Sequence, residues 1–225
     1  MEDFNWLQLL NPEFYILLEF GGIKIGLFVV LFIIFAETGL LAGFFLPGDS
    51  LLFLAGIYSE TLMSQVSLGN DFLNVTLFAL LVSIMGIFGN MTGYWVGSKS
   101  GNYLYSRNDS FLFKKKYLYQ SKAFFDKYGS RAIVFARFLP IVRTFAPVIA
   151  GIVSMDKKKF MFYNIIGSFL WSFSMIFAGH YFYELFLDKF GIDLKHYIEY
   201  IVIGIIAVTT FPVLFKILKK NVHIE

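Results

Sequence analysis

The chain has no cysteine, only three histidines and five prolines among its 225 residues, and 16% of it is charged. Without cysteine there are no disulfides, no thiolate catalysis and no Cys-ligated metal. Poverty of charge is equally limiting. Soluble domains are about 25% charged and about 45–50% apolar, whereas this chain is 57% hydrophobic and 20% aromatic, with a mean hydropathy of +0.67. Such a composition cannot cover a surface in water, so an integral membrane protein is expected. There is no P-loop, no HExxH and no glycine-rich dinucleotide turn. His180 and His196 look too isolated to form a metal cluster, and no metal or other cofactor is expected. The run Lys114–Lys116 reads as a membrane-side anchor, which leaves no nucleic-acid partner. The start, MEDFNW, places acids where a signal peptide needs positive charge, so no cleaved targeting segment is expected.

Two stretches say nearly the same thing: FLP-GDSLLFL-AGI at 45–57 and FLP-IVRTFAPVI-AGI at 138–152. Both are apolar, and both carry charges that a bilayer should reject. Asp49 lies in the first, with Glu37 before it. Arg143 lies in the second, with Arg137 before it. A duplicated, proline-broken, charged hydrophobic segment suggests a transporter whose substrate site is built from a repeat.

A membrane-spanning helix needs about 20 mostly apolar residues. Segments 13–36, 72–98, 160–183 and 200–215 meet or approach that length. Stretches 38–58 and 132–155 do not make good lipid-facing helices. Proline in a helix interior costs ~3 kcal/mol or more, and a central charge costs ~2.5–3.5 kcal/mol on insertion scales. Each reads better as a re-entrant hairpin, tolerated where it is buried in protein or lines a wet cavity.

Lysine and arginine give the orientation. Segment 98–131, the link Lys157–Lys159 and the tail residues Lys216, Lys219 and Lys220 hold most of the basic residues, while loops 58–71 and 184–198 hold only Lys189 and Lys195. All the concentrated charge shares one side if the two stretches are hairpins and the four other segments span. If 132–155 crossed instead, Lys157–Lys159 would lie opposite Lys114–Lys116.

The expected fold is therefore an all-α integral membrane protein with four membrane-spanning helices plus two re-entrant helical hairpins. It forms a single membrane domain over 1–225, multi-pass, with both termini cytoplasmic. Asn90-Met-Thr-Gly93 and Asn164-Ile-Ile-Gly167 extend the repeat beyond the hairpins. The first half (13–98, hairpin 38–58) and the second (130–183, hairpin 132–155) then form an inverted repeat. Segment 110–127 is expected to be an amphipathic helix in the interface, and 197–218 the final span.

Glu37, Asp49, Arg137 and Arg143 are the formal charges inside the hairpin regions. Arginine's planar fork binds phosphate or carboxylate in a bidentate way. A carboxyl raised by desolvation and lowered by a nearby arginine can exchange protons near neutral pH. The competing reading is a buried ion-pair lattice that only locks the hairpins together. Pro47-Gly48, Pro140 and Pro147 are expected to turn the hairpins and free backbone N–H groups for an anion. Asn90 and Asn164 either bond freed backbone or accompany close packing at a glycine. His180 and Trp171 read as interfacial or packing residues.

Taken together, Glu37 upstream of Phe45-Leu-Pro-Gly-Asp49, then Gly89-Asn90-x-x-Gly93-Tyr94, then Arg137-Phe-x-Pro140-x-x-Arg143-Thr144, Pro147 and Ala150-Gly151 resemble the DedA family, the bacterial proteins with the VTT or SNARE-associated membrane domain. The resemblance spans most of the chain. It implies a lipid transporter of the bacterial cytoplasmic membrane, dependent on proton-motive force, for which undecaprenyl phosphate and phosphatidylethanolamine are the lipids to test. The implied partners are phosphate-bearing membrane lipids and protons, with homo-oligomerisation left open. Arg137, Arg143, Thr144, Pro47, Gly48, Pro140 and Asn90 would form the substrate site, and Glu37 and Asp49 would couple protons. No residue is assigned a catalytic role. Other functions compatible with the residues are a membrane phosphatase acting on lipid phosphates and a small-ion channel or exchanger.

Overall fold

A computed structural model describes residues 12–40, 48–106 and 127–198, with residues 122, 123, 125, 200, 201 and 204 beside them. The described elements are almost all helical: α1 (Pro12–Ile16), α2 (Gly26–Gly39), α3 (Gly48–Ile57), α4 (Ser59–Met63), α5 (Asp71–Ser106), α6 (Ala132–Ala136), α7 (Pro140–Ile152) and α8 (Lys157–Phe190), closed by a 3-10 turn at Leu194–Tyr197. One two-stranded ribbon, β1 (Glu19–Phe20) and β2 (Ile23–Lys24), separates α1 from α2.

Two helices are long and apolar enough to cross a bilayer. They cover Asp71–Gly101, mean hydropathy 2.2, and Lys157–Phe190, mean hydropathy 1.5. They match the expected second and third spans. The expected first span at 13–36 is not one helix. Gly21 and Gly22 both adopt positive φ, 59° and 81°, the conformation a two-residue primed turn requires. The chain there folds into the ribbon that sets Glu19 opposite Lys24. The helix after the ribbon, α2, has 14 residues, or about 21 Å at about 1.5 Å per residue, short of the ~30 Å hydrocarbon core.

The two expected hairpins contain α3, with 10 residues, and α7, with 13. Both are too short to cross alone. Residues 41–47, including Pro47, lie outside the described residues, as do most of the expected interfacial helix 110–127 and nearly all of the last span 197–218 beyond the 3-10 turn. In the second hairpin region the chain breaks between α6 and α7. Arg137, Phe138 and Leu139 close tight bonds to carbonyls three residues back, and Leu139 is extended at φ −114°. Proline at the first position of a helix loses nothing, and it forces the preceding residue out of helical conformation. Pro140 therefore starts α7. Pro147, expected to help turn the hairpin, lies inside α7 instead.

The chain divides into two compact units, one of residues 1–30, 47–75 and 175–225, the other of 31–46 and 76–174. In the first, α3 packs against the C-terminal part of α8. A Cβ on Gly56 would stand 2.4 Å from the Ile176 carbonyl oxygen. In the second, α7 packs against α5, and a Cβ on Gly151 would stand 2.1 Å from the Tyr94 carbonyl oxygen. Gly56 and Gly151 are the glycines of the two AGI triplets. Each repeated helix thus packs on the long helix of the other half. Only glycine permits this approach, so Gly56→Leu and Gly151→Leu should each lower the melting temperature in detergent sharply, since overpacking costs about 1–3 kcal/mol or more. Gly204→Ala, where nothing lies within 4 Å, should leave it unchanged.

Burial departs from the pattern of a soluble protein. In the second unit Phe88, Trp95, Phe162 and Leu170 are exposed while Asn90, Asn164, Ser168 and Ser172 are buried; in the first, Phe72 and Phe182 are exposed while Ser59 and His180 are buried. Large apolar side chains outside and polar ones inside suit a hydrocarbon surround.

Candidate functional site

The second unit gathers three of the four charges singled out from the sequence. Glu37 lies near the end of α2 and is 1% exposed; Arg137, in the break after α6, is 3% exposed; Arg143, in α7, is 6% exposed. The break at 137–139 places one arginine just before Pro140 and the other one turn into α7.

Arg143 donates from Nη2 to Glu37 Oε1, a buried ion pair. Arg137 is held differently. Its Nη2 donates to Asn164 Oδ1 at 2.9 Å and to the Gly86 carbonyl at 3.1 Å. Asn90 Nδ2 donates to the same Asn164 oxygen at 2.9 Å, and Asn164 Nδ2 donates to the Ile87 carbonyl at 3.2 Å. Among the described residues, every hydrogen-bond partner of Arg137 is neutral. Its Nε, also buried, has none. Both guanidiniums face one indole: the Trp171 ring centre lies 5.0 Å from Arg143 Cζ and 5.8 Å from Arg137 Cζ. Planar cations stack on an aromatic face. The result is two forks on one plate, the first neutralised by Glu37 and the second held by amide oxygens. This arrangement suits an oxyanion that accepts two parallel hydrogen bonds.

The remaining expected site residues divide. Thr144 is buried next to Arg143 in α7, and Asn90 is in the network. Pro140 is placed as the first residue of α7. Gly48 is buried at the start of α3, and Asp49 is half-buried in its first turn. Those two belong to the other unit. The asparagines, expected to bond freed backbone or merely mark glycine packing, bond each other across the repeat, and Asn164 orients Arg137.

Two residues read as packing or belt residues play other parts. Trp171 is 1% exposed and carries both arginines. In a chain that is 20% aromatic, nothing in the sequence distinguished it. His180, expected at the interface and too isolated for a cluster, is buried against Ser59, Asp71 and Glu184. Ser59 and Asp71 come from distant parts of the chain, which spacing alone does not reveal.

Comparison with known proteins identifies the family. The VTT domain matches residues 46–181, which takes in α3, α5, α6, α7 and most of α8. Protein DedA of Escherichia coli K12 is 36% identical over 204 residues, covering 90% of this chain and 86% of that protein. The uncharacterized membrane protein Rv0364 of Mycobacterium tuberculosis H37Rv is 40% identical over 152 residues, 68% of this chain and 63% of that one. The inner membrane protein YqjA of Escherichia coli K12 is 31% identical over 153 residues, 68% and 66%. No solved structure matches. Apolar helices that bury arginine, glutamate and asparagine, a VTT domain over residues 46–181, and a match to DedA along most of both chains place this chain in the DedA family of bacterial membrane proteins.

Proposed function

We propose that the chain moves a phosphate-bearing lipid, undecaprenyl phosphate or a phospholipid such as phosphatidylethanolamine, across the cytoplasmic membrane, with protons as the coupling ion. The observation that carries this reading is Arg137: a cation 3% exposed whose hydrogen bonds among the described residues go to neutral oxygens. A buried charge without an opposite charge bonded to it costs several kcal/mol, and a headgroup phosphate would offset that cost. Trp171 and Asn164 fix the fork in place beforehand, so little ordering is needed when the phosphate arrives.

In this reading the lipid tails stay in the bilayer while the phosphate meets Arg137 and Arg143. Glu37 exchanges Arg143 for a proton as the phosphate enters, and Asp49 serves the same coupling from α3. The membrane arrangement that goes with it has α5 and α8 as crossings, the two hairpin regions re-entrant, and the basic segment 98–131 and link Lys157–Lys159 together on the cytoplasmic side. The protein acts as a transporter without chemical change to its cargo.

Reconstitution tests this. Purified protein in liposomes, given labelled undecaprenyl phosphate, phosphatidylethanolamine and a neutral diacylglycerol under an imposed pH gradient, should accelerate transfer of at least one phosphate lipid and leave diacylglycerol at the protein-free rate. Release of inorganic phosphate would establish a phosphatase instead. Ion flux with no lipid movement would establish a channel or exchanger.

A further inference from the structure

The first unit holds a polar cluster that the arginine site does not use. His180 is 3% exposed. Its Nε2 lies 2.8 Å from Asp71 Oδ2 and 3.5 Å from Glu184 Oε1. One ligand atom from each of the three residues lies within 4.8 Å of the other two. On the far side of the ring, Nδ1 lies 2.9 Å from Ser59 Oγ, and Ser59 is fully buried.

Three helices build this. Asp71 opens α5 and Ser59 opens α4. His180 and Glu184 stand four residues apart on α8, hence on one face of it. A serine, a histidine and an aspartate in line resemble a hydrolytic triad, but the order of exposure is reversed. In a hydrolase the hydroxyl meets substrate and the acid is buried. Here the hydroxyl is sealed in, and the two carboxylates are the exposed groups, at 42% and 46% of their side chains. The accessible end of the cluster is the end with ligand atoms.

We propose that Asp71, His180 and Glu184 form a site for a divalent first-row transition cation, with Zn²⁺ as its representative. The donor set is one imidazole nitrogen and two carboxylate oxygens. Imidazole selects against Ca²⁺ and Mg²⁺, and carboxylates without thiolate select against Cu⁺. Ligands at about 2.0–2.2 Å around a tetrahedral ion stand roughly 3.3–3.5 Å apart; the Glu184 contact has that spacing at 3.5 Å, and the Asp71 contact, at 2.8 Å, would open by about half an ångström. Two carboxylates balance the ion's charge, and the half-exposed side leaves room for water as a further ligand. Ser59 plays the outer part. Zinc-bound histidines donate their other ring N–H to an oxygen that fixes the ring, and a buried hydroxyl at Nδ1 can turn from donor to acceptor. With no ion bound, Nε2–H holds Asp71. The ion takes the Nε2 position, the ring proton moves to Nδ1, and the Ser59 hydroxyl rotates to accept from Nδ1–H. Binding to the neutral ring is thus a tautomer switch with no net proton release.

The test uses the full chain, purified in detergent and stripped with chelator, then titrated with Zn²⁺, Co²⁺ and Mg²⁺. The expected result is one Zn²⁺ per chain, a raised melting temperature, and a weak visible Co²⁺ spectrum without thiolate bands, as a cysteine-free chain requires. Mg²⁺ should give none of these. Asp71→Asn and Glu184→Gln alter exposed side chains and should keep the fold while weakening Zn²⁺ binding roughly tenfold or more. His196→Gln, at a histidine 79% exposed beside Asp193, should bind as the parent does. His180→Gln should abolish binding; if it also unfolds the protein, Glu184→Gln still decides. Absence of stoichiometric Zn²⁺ binding by the parent chain would overturn the proposal. So would unchanged binding in both Asp71→Asn and Glu184→Gln.

Discussion

Replacing Arg143 by lysine should abolish most lipid transport while the protein continues to fold. The substitution keeps a cation beside Glu37, so the buried pair with its carboxylate survives. What goes is shape. A guanidinium offers a flat fork that matches two phosphate oxygens at once and lies against the Trp171 ring, 5.0 Å from its centre; an ammonium is a compact point charge on a flexible stem. A hydrogen bond to a charged group contributes about 1.5–3 kcal/mol, so losing one prong costs roughly tenfold or more in affinity at each turnover. The measurement is initial transport rate in liposomes beside the melting temperature of the same preparation. Full transport by Arg143→Lys would show that fork geometry is not used, and would favour a charge lattice that only holds α2 and α7 together. Arg137→Lys should lose transport too, with a larger effect on stability, because Asn164 and Gly86 both depend on the length and planarity of that side chain.

The charges were the legible part of this molecule. A bilayer tolerates so few of them that Glu37, Arg137 and Arg143 stood out from the sequence alone, and three of the four formal charges in the hairpin regions do meet or adjoin one another in the second unit. The repeat carried further information: it paired Asn90 with Asn164, which bond each other, and AGI at 55–57 with AGI at 150–152, whose glycines each pack on a long helix of their own unit. The long apolar stretches gave α5 and α8 directly.

The features that stayed hidden have identifiable causes. Segment 13–36 reads as apolar overall, and hydropathy averaged along it conceals a two-glycine turn that reverses the chain at Gly21-Gly22. Pro147 looked like a turn residue, yet it is accommodated within α7. Trp171 and His180 were invisible for another reason. Their roles depend on partners brought together by folding, 121 residues apart for Ser59 and His180. Residue type said only that an indole and an imidazole were present. No pattern of spacing in a single sequence joins such groups.

Glu37→Gln is expected to yield a stable protein that has lost its proton dependence. The lattice reading and the transport reading part company here. If Glu37 exists only to neutralise Arg143, the amide leaves a buried arginine without its acid, at a cost of ~3–5 kcal/mol, a fall in melting temperature on the order of 10 °C for a chain of this length. If Glu37 carries a proton, the fold already visits the neutral state once in every cycle, and the packing around residue 37 must accept an uncharged side chain of this shape. Glutamine imitates that state, retains an oxygen for Arg143 Nη2 to bond, and cannot titrate. Lipid binding through the two arginines should then persist, while accumulation driven by a pH gradient disappears. Asp49→Asn, in the first turn of α3, should give the same phenotype. The decisive comparison is transport with and without the gradient, read alongside melting temperature on the same purified variants. Lost gradient dependence in a variant that melts like the parent supports the proton-coupled transporter. A variant that melts about 10 °C lower supports the lattice, and stable variants that still respond normally to the gradient would remove both carboxylates from the coupling.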